Sequence, residues 1–277
     1  MKSYLHASLI AIAATVSLGS LGMAQPATAV EIIGLTMDNN LVAFDSAQLT
    51  SARKIQVSGV DGNLIGIDVR PANQKLYGVT DTSKIYTIDP TTGAATMVSS
   101  LSKPFKGGLS SGVDFNPVAD RLRLVAGNGQ NFRINVETGA TTVDKPLKYA
   151  KDDQLSGKSA GISAGAYTNS MAGAKTTQLF NIDGIRDALV LQNPPNDGVL
   201  KTVGMLGTNF SPMAGMDIMT DASGTNTAFA VSGSTFYSVD LEKGAVQRMG
   251  NVLVDKSPTR LIDVAAMSTA STTMPKP

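Results

Sequence analysis

Cysteine and tryptophan are absent from this chain of 277 residues, and histidine occurs once, as His6. Each absence excludes chemistry. Without cysteine there are no disulfides, so a mature domain must be held by its own core. The lone histidine lies in a segment expected to be removed, and the mature chain is then without His or Cys. Ser-His-Asp and Cys-His catalysis, histidine general-base chemistry and zinc or copper sites of the usual ligands all drop out. What remains for catalysis is carboxylate, lysine, tyrosine or an oxygen-bound hard cation. Aromatic residues make up only 5% of the chain, which argues against a stacking platform for bases or sugars. The formal net charge is +1, from evenly mixed acids and bases, so no nucleic-acid partner is expected.

Long apolar runs are also missing. Residues 9–21 form the one candidate, preceded by Lys2 and His6 and followed by Gln25 and Pro26. That run is too short to span a bilayer comfortably, and Ala27-Thr28-Ala29 supplies a small-x-small cleavage pattern. Residues 1–29 are therefore expected to be a signal peptide. The mature domain would be periplasmic or secreted, with no stable membrane insertion after cleavage and no cysteine for a thiol-linked lipid.

What the chain does contain is repetition. Residues 111–140, SGVDFNPVADRLRLVAGNGQNFRINVETGA, hold three alternating segments separated by Asn, Asp, Gly and Pro, the pattern of adjacent antiparallel strands. Two landmarks of that unit recur. One is a short strand with an acid after Gly-x, seen at Gly66-Ile67-Asp68, Gly112-Val113-Asp114 and Gly215-Met216-Asp217. Leu261-Ile262-Asp263 lacks the glycine, and Gly165-Ala166-Tyr167 lacks the acid. The other is a later strand closing in Asp or Asn, at Asp45, Asp89, Asn135, Asn193 and Asp240. Spacings of roughly 44–58 residues with about four strands each are those of β-propeller blades. Asp89-Pro-Thr-Thr-Gly93, Asn135-Val-Glu-Thr-Gly139 and Asp240-Leu-Glu-Lys-Gly244 share one turn template, with Gly in the left-handed position.

The ends complete the pattern. The mature chain begins with a second blade strand that lacks an innermost one, and residues 260–267 form an innermost strand lacking the rest of its blade. Joining them removes two exposed edges. The expected fold is all-β: a single five-bladed β-propeller over residues 30–268, closed by pairing of the C-terminal strand with the N-terminal blade. Blades are expected at 30–60 plus 259–268, 61–103, 108–147, 160–207 and 212–254, with a disordered tail over 269–277. The long connection 144–161 is either functional or disordered.

Two constellations could carry chemistry. Asp68, Asp114, Asp217 and Asp263 repeat on the innermost strands, where a propeller's blades converge. They are candidate Ca²⁺ ligands, or each ties its blade to the next by accepting backbone N–H bonds. Repetition in four blades favours the tie. Blade three departs from symmetry: one face carries Val113, Phe115, Leu122, Leu124, Phe132 and Ile134, the other Asp114, Asn116, Arg121, Arg123, Asn131, Arg133 and Asn135. Unpaired buried guanidinium groups are costly. Either Asp114 and acids of a neighbouring blade satisfy the arginines, or Arg121, Arg123, Asn131, Arg133, Asp114 and Tyr167 form a site for a small anion. Gly157-Lys158-Ser159 lacks the context of a phosphate loop, and Met213, Met216 and Met219 read as core filler.

The stretches VDFNPVADRLRLVAGNGQNFRINVETGATT (113–142), AYTN (166–169) and LQNPPNDGVLKTVG (191–204) resemble a bacterial family of exported domains of unassigned function, over nearly the whole mature chain. The resemblance implies a secreted, propeller-like domain and supplies no activity. The expectation is a monomeric, non-enzymatic ligand- or protein-binding or scaffold propeller that requires no cofactor. Its partner would be a small anionic ligand or an extracytoplasmic protein. The competing expectation is a Ca-dependent hydrolase or lactonase using the axial carboxylates, with the ion as Lewis acid.

Overall fold

The structure is a computed structural model that describes residues 29–267. The expected signal peptide, Ala29 apart, and the expected tail lie outside the described residues. No described helix is long and apolar enough to cross a membrane.

Five small sheets form a five-bladed β-propeller. The innermost strands are Asp263–Ala266, Leu64–Arg70, Ser111–Asn116, Ile162–Tyr167 and Ala214–Thr220, here blades one to five. Within a blade the strands run antiparallel in chain order from axis to rim, as in Leu64–Arg70, Lys75–Thr80, Lys84–Ile88 and Ala95–Ser100. Blade one is the composite. Glu31–Leu35 pairs with Asp263–Ala266 in the register Ile33↔Ala265, and the Ile262 amide donates to the Leu35 carbonyl at 2.8 Å.

Two blades gain strands that the repeat pattern did not suggest. Leu253–Val254 runs parallel to the outer strand Gln48–Gln56 of blade one, followed by Ser257–Pro258, so residues 253–254, expected at the end of blade five, and 255–258, expected between blades, belong to blade one. Lys148–Tyr149 pairs in parallel with Val199–Met205 at the rim of blade four. The long connection 144–161 is therefore partly a strand, anchored by buried Leu147 and Tyr149, and the Asp153 carboxylate takes the Thr202 amide and hydroxyl at 2.6 and 2.9 Å. Both additions cover outer edges that would otherwise offer free backbone groups.

The shared turn template latches blade to blade. In each copy the glycine amide donates to the opening residue's carbonyl at 2.8 Å, and the opening Asp or Asn side chain accepts an amide two residues on. Gly139 has φ +72°, and a Cβ there would lie 1.8 Å from the Ser100 carbonyl oxygen of the preceding blade. Only glycine meets both demands. Its own carbonyl accepts the Ser102 amide at 2.9 Å, which ties the turn to that blade.

The core lies between blades. Apolar clusters fill the seams of blades five and one, one and two, two and three, and four and five. The apolar face of blade three, including Phe115, Leu124 and Phe132, packs on blade two, with Tyr77 and Phe115 edge to face at 5.2 Å. Met216 and Met219 are buried in such clusters, with Met213 packed against one, as core filler. The seam between blades three and four differs. Its apolar cluster takes only Val125 from the three-strand face of blade three, and the remaining space is filled by charged and polar side chains.

Candidate functional site

Each axial aspartate reaches the next blade, as repetition suggested. Asp263 accepts the Ile67 amide at 2.9 Å, Asp68 the Phe115 amide at 2.7 Å, Asp114 the Tyr167 amide at 3.0 Å and Asp217 the Ala266 amide at 2.6 Å. The Gly of the landmark permits the close approach: a Cβ on Gly215 would lie 2.3 Å from the Asp263 Cα. Blade four has Tyr167 in place of the acid, and its seam with blade five is clasped differently. Asn169 and Asn226 exchange hydrogen bonds at 2.8 and 3.0 Å, and the Ser170 amide donates to Thr220 Oγ1 at 2.8 Å.

These carboxylates are buried and crowd one another. Oxygens of Asp68, Asp114 and Asp217 lie within 4.8 Å of each other, a spacing that a hard cation could bridge. Burial, and then the charge of Asp217, push the Asp68 carboxyl well above the usual carboxylate range against the pull of its two amide donors. Burial, then Asp68 and Asp217, act on Asp114 in the same way, and burial raises Asp263. Asp217 is pushed up to about 6, chiefly by burial. Beside Asp68 and Asp217 lies a cavity of about 10 Å³, lined also by Pro71, Gln74, Ser170, Thr220 and Ala266. That volume holds about one water molecule.

The polar face of blade three meets blade four. Arg123, 2% exposed, is the centre: Nε donates to the Tyr167 hydroxyl at 3.1 Å, one terminal nitrogen to Asn131 Oδ1 at 2.8 Å and Asp144 Oδ2 at 2.7 Å, the other to Asn196 Oδ1 at 2.8 Å. Arg133 forks onto the same Asp144 at 2.7 and 2.8 Å. Burial alone would raise the Asp144 carboxyl, but the bonds from Arg133 and Arg123 outweigh it and hold it below the usual carboxylate range. Asn131 continues inward to Gln192 at 3.3 Å, and Gln192 accepts from Asn181 at 2.9 Å. Both Asn131 and Gln192 also donate to the Pro195 carbonyl.

Of the residues expected to form an anion site, the structure brings together Arg123, Asn131, Arg133 and Tyr167. Asp114 is a correction: it takes the Tyr167 amide, and the acid that neutralises the arginines is Asp144, at the end of blade three itself. Arg121 also stays apart, bonded to the Ala119 and Asp120 carbonyls of its own turn at 3.4 and 2.8 Å. Gln192, Asn181 and Asn196 were missed. A signal for two of them existed, because residues 191–204 contain both Gln192 and Asn196, and that motif folds directly onto the blade-three arginine.

One end of the ring carries an open groove. The inner strands lead there into the turns 71–74 and 117–120 and the longer connection 168–178. Pro71, Pro117, Val118, Asp120, Ala172 and Lys175 are among the residues lining a groove of about 380 Å³. Val118 and the neighbouring Met171 are exposed, at 48% and 37%. Asp120 is held by a two-bond fork from Arg70 at 2.8 and 2.7 Å, and Arg70 also binds Glu137.

No curated protein matches the chain. Among solved structures it is similar to a structural genomics protein of unknown function from Bacteroides thetaiotaomicron, with 18% identity, TM-score 0.49, and coverage of 89% of this chain and 66% of that one. It is also similar to an auxiliary nutrient binding protein from Bacteroides ovatus, at 16% identity and TM-score 0.43, covering 78% of this chain and 57% of that one. A protein of unknown function from Bacteroides caccae shares 8% identity at TM-score 0.41, with 80% and 73% covered. The chain thus spans less than two thirds of the length of the first two. Residues 40–265, the composite ring from its second strand to its closing one, match the profile of a domain of unknown function, DUF4394, and the chain belongs to that family.

Proposed function

We propose that this chain is an extracytoplasmic propeller that works by binding, with no catalytic step, and that it holds a small ligand or a partner protein at the grooved mouth of the ring. The observation that supports this reading is how the interior charge is used. The axial carboxylates join blades, and the arginines of blade three are satisfied by Asp144, Asn131, Asn196 and Tyr167 inside a seam. Neither cluster is open to an external organic ligand. The mouth is: its groove of about 380 Å³ falls within the usual size of ligand pockets, and it is formed by connections, where propellers carry their variable chemistry. Export rests on the leader pattern of residues 1–29, and a single ring closed on itself supports action as a monomer.

A ligand-observed NMR screen of small organic solutes tests this on the mature chain. Hits are expected to be lost when Ala172→Trp fills the groove. Hits that survive unchanged in a folded Ala172→Trp protein would place binding elsewhere.

A second reading follows from the 4.8 Å grouping of Asp68, Asp114 and Asp217: a calcium ion held on the axis, serving a hydrolase. The geometry favours the ion over the enzyme, because an adjoining cavity of about 10 Å³ admits water and not a substrate. If the ion binds, millimolar calcium should raise the melting temperature with concentration, more at pH 8 than at pH 5, where protons compete for the same oxygens. An unchanged melting temperature at pH 8, with calcium or with chelator, removes this reading.

A further inference from the structure

We infer that the groove at the mouth is a site for a small amphipathic carboxylate, a molecule with a compact apolar body and one anionic end. The inference rests on the reading of the mouth as the binding end, and adds the chemical class of the ligand.

The charge pattern of the groove carries it. Two charged residues line the groove, Asp120 and Lys175. Asp120 is already paired: the guanidinium of Arg70 forks onto both its oxygens, and these hydrogen bonds outweigh burial and hold its carboxyl below the usual range. Lys175 is exposed and forms no ion pair with any described residue. Lys175 is therefore the charged group of the groove lining without an ion-pair partner among the described residues, while Asp120 shares the Arg70 guanidinium with Glu137.

The backbone of the same connection is equally uncommitted. In the connection 168–178, Met171 and Ala174 donate to Asn169 and Met171 carbonyls, but the amides of Ala172, Gly173 and Lys175 donate to no described residue. Successive free amides next to a cation suit a carboxylate, which accepts several hydrogen bonds at once. Apart from Asp120 and Lys175, the residues lining the groove are apolar or glycine. Pro71 and Pro117 fix their turns, and Val118 stands 48% exposed. The exposed Val118 gives an apolar body a surface to cover, and the size of the groove limits that body to roughly a single ring or short chain.

Phenylacetate and its uncharged counterpart 2-phenylethanol are the probes, titrated against the mature chain by calorimetry and by saturation-transfer NMR. Phenylacetate is expected to bind at least ten-fold more tightly than 2-phenylethanol. Lys175→Gln should weaken phenylacetate by about ten-fold or more, the loss of one charge-assisted hydrogen bond, while leaving 2-phenylethanol unchanged. Ala172→Trp should abolish both. Equal affinity for the two probes, or no effect of Lys175→Gln, or no binding of phenylacetate, overturns the inference. If any of those three outcomes appears while Ala172→Trp still removes hits from the wider screen, the mouth remains the binding end and only the ligand class is wrong. If Ala172→Trp removes nothing, both readings fall together.

Discussion

Replacing Asp144 by alanine is expected to cost about 3–5 kcal/mol of folding stability, the largest loss from any single charge removal in the ring. The reason is where the charge it balances resides. Arg123 is 2% exposed, and Asp144 is the acid it contacts; Tyr167, Asn131 and Asn196 offer only neutral oxygens. Removing the acid strands a guanidinium in the seam between two blades. Arg133, bound to the same acid, is 34% exposed and can turn toward water, so Arg133→Ala should cost no more than about 1 kcal/mol. The double variant Arg123→Met with Asp144→Ala should be more stable than Asp144→Ala alone, because no buried charge is left unpaired. Urea unfolding measures all three, and the Asp144→Ala melting temperature should fall by roughly 6–20 °C. A loss below about 1 kcal/mol would mean that water reaches Arg123 and that the seam is open, which would return the arginine face to the list of binding sites.

The ring was legible because its signals are local and repeated. A Gly-x-Asp strand and an Asp-x-x-x-Gly turn can be recognised within a few residues, and each copy supports the others. The closure of Glu31–Leu35 on Asp263–Ala266 followed from counting strands at the two ends. The partner of the arginines was not legible from alternation. Asp144 lies beyond the last strand of blade three, and Asn196 lies 73 residues from Arg123, so nothing in the period-two pattern joins them. Asp114 shares a strand pair with Arg123 and seemed the natural partner, but the axis claims its carboxylate. The strand Lys148–Tyr149 was hidden for another reason: two residues pairing in parallel with a distant rim strand leave no alternation to read. The mouth groove has no sequence signature at all, since it exists only where three connections from different blades meet.

The same axial carboxylates are expected to make stability fall as pH rises above about 4, opposite to the trend given by acids that basic partners hold low. Burial and mutual repulsion raise Asp68, Asp114 and Asp263 well above the ordinary value and bring Asp217 to about 6. Groups raised on folding bind protons more tightly in the folded state. Their contribution is complete below about pH 4, the unfolded value, and is lost as pH climbs through the folded values. For Asp217 alone, two pH units correspond to about 3 kcal/mol, to order of magnitude. Asp144 and Asp120 are held low by arginines and act with the opposite sign, contributing above about pH 4 and losing that contribution in acid. The optimum should therefore lie near pH 4, with a decline of a few kcal/mol by pH 8 in urea unfolding without divalent cations. Two substitutions separate charge from hydrogen bonding. Asp114 Oδ1 alone takes an amide, so Asp114→Asn can keep that bond while removing one of the crowded charges, and it should flatten the decline and stabilise at pH 8. Asp68 uses one oxygen for Val69 and the other for Phe115. Asp68→Asn then sets a donor against a donor, and should cost about 1–3 kcal/mol at every pH. Stability that instead rises from pH 5 to pH 8, with Asp114→Asn behaving as wild type, would show that these carboxylates ionise freely, and the axis would have to be wetter than a cavity of about 10 Å³ allows.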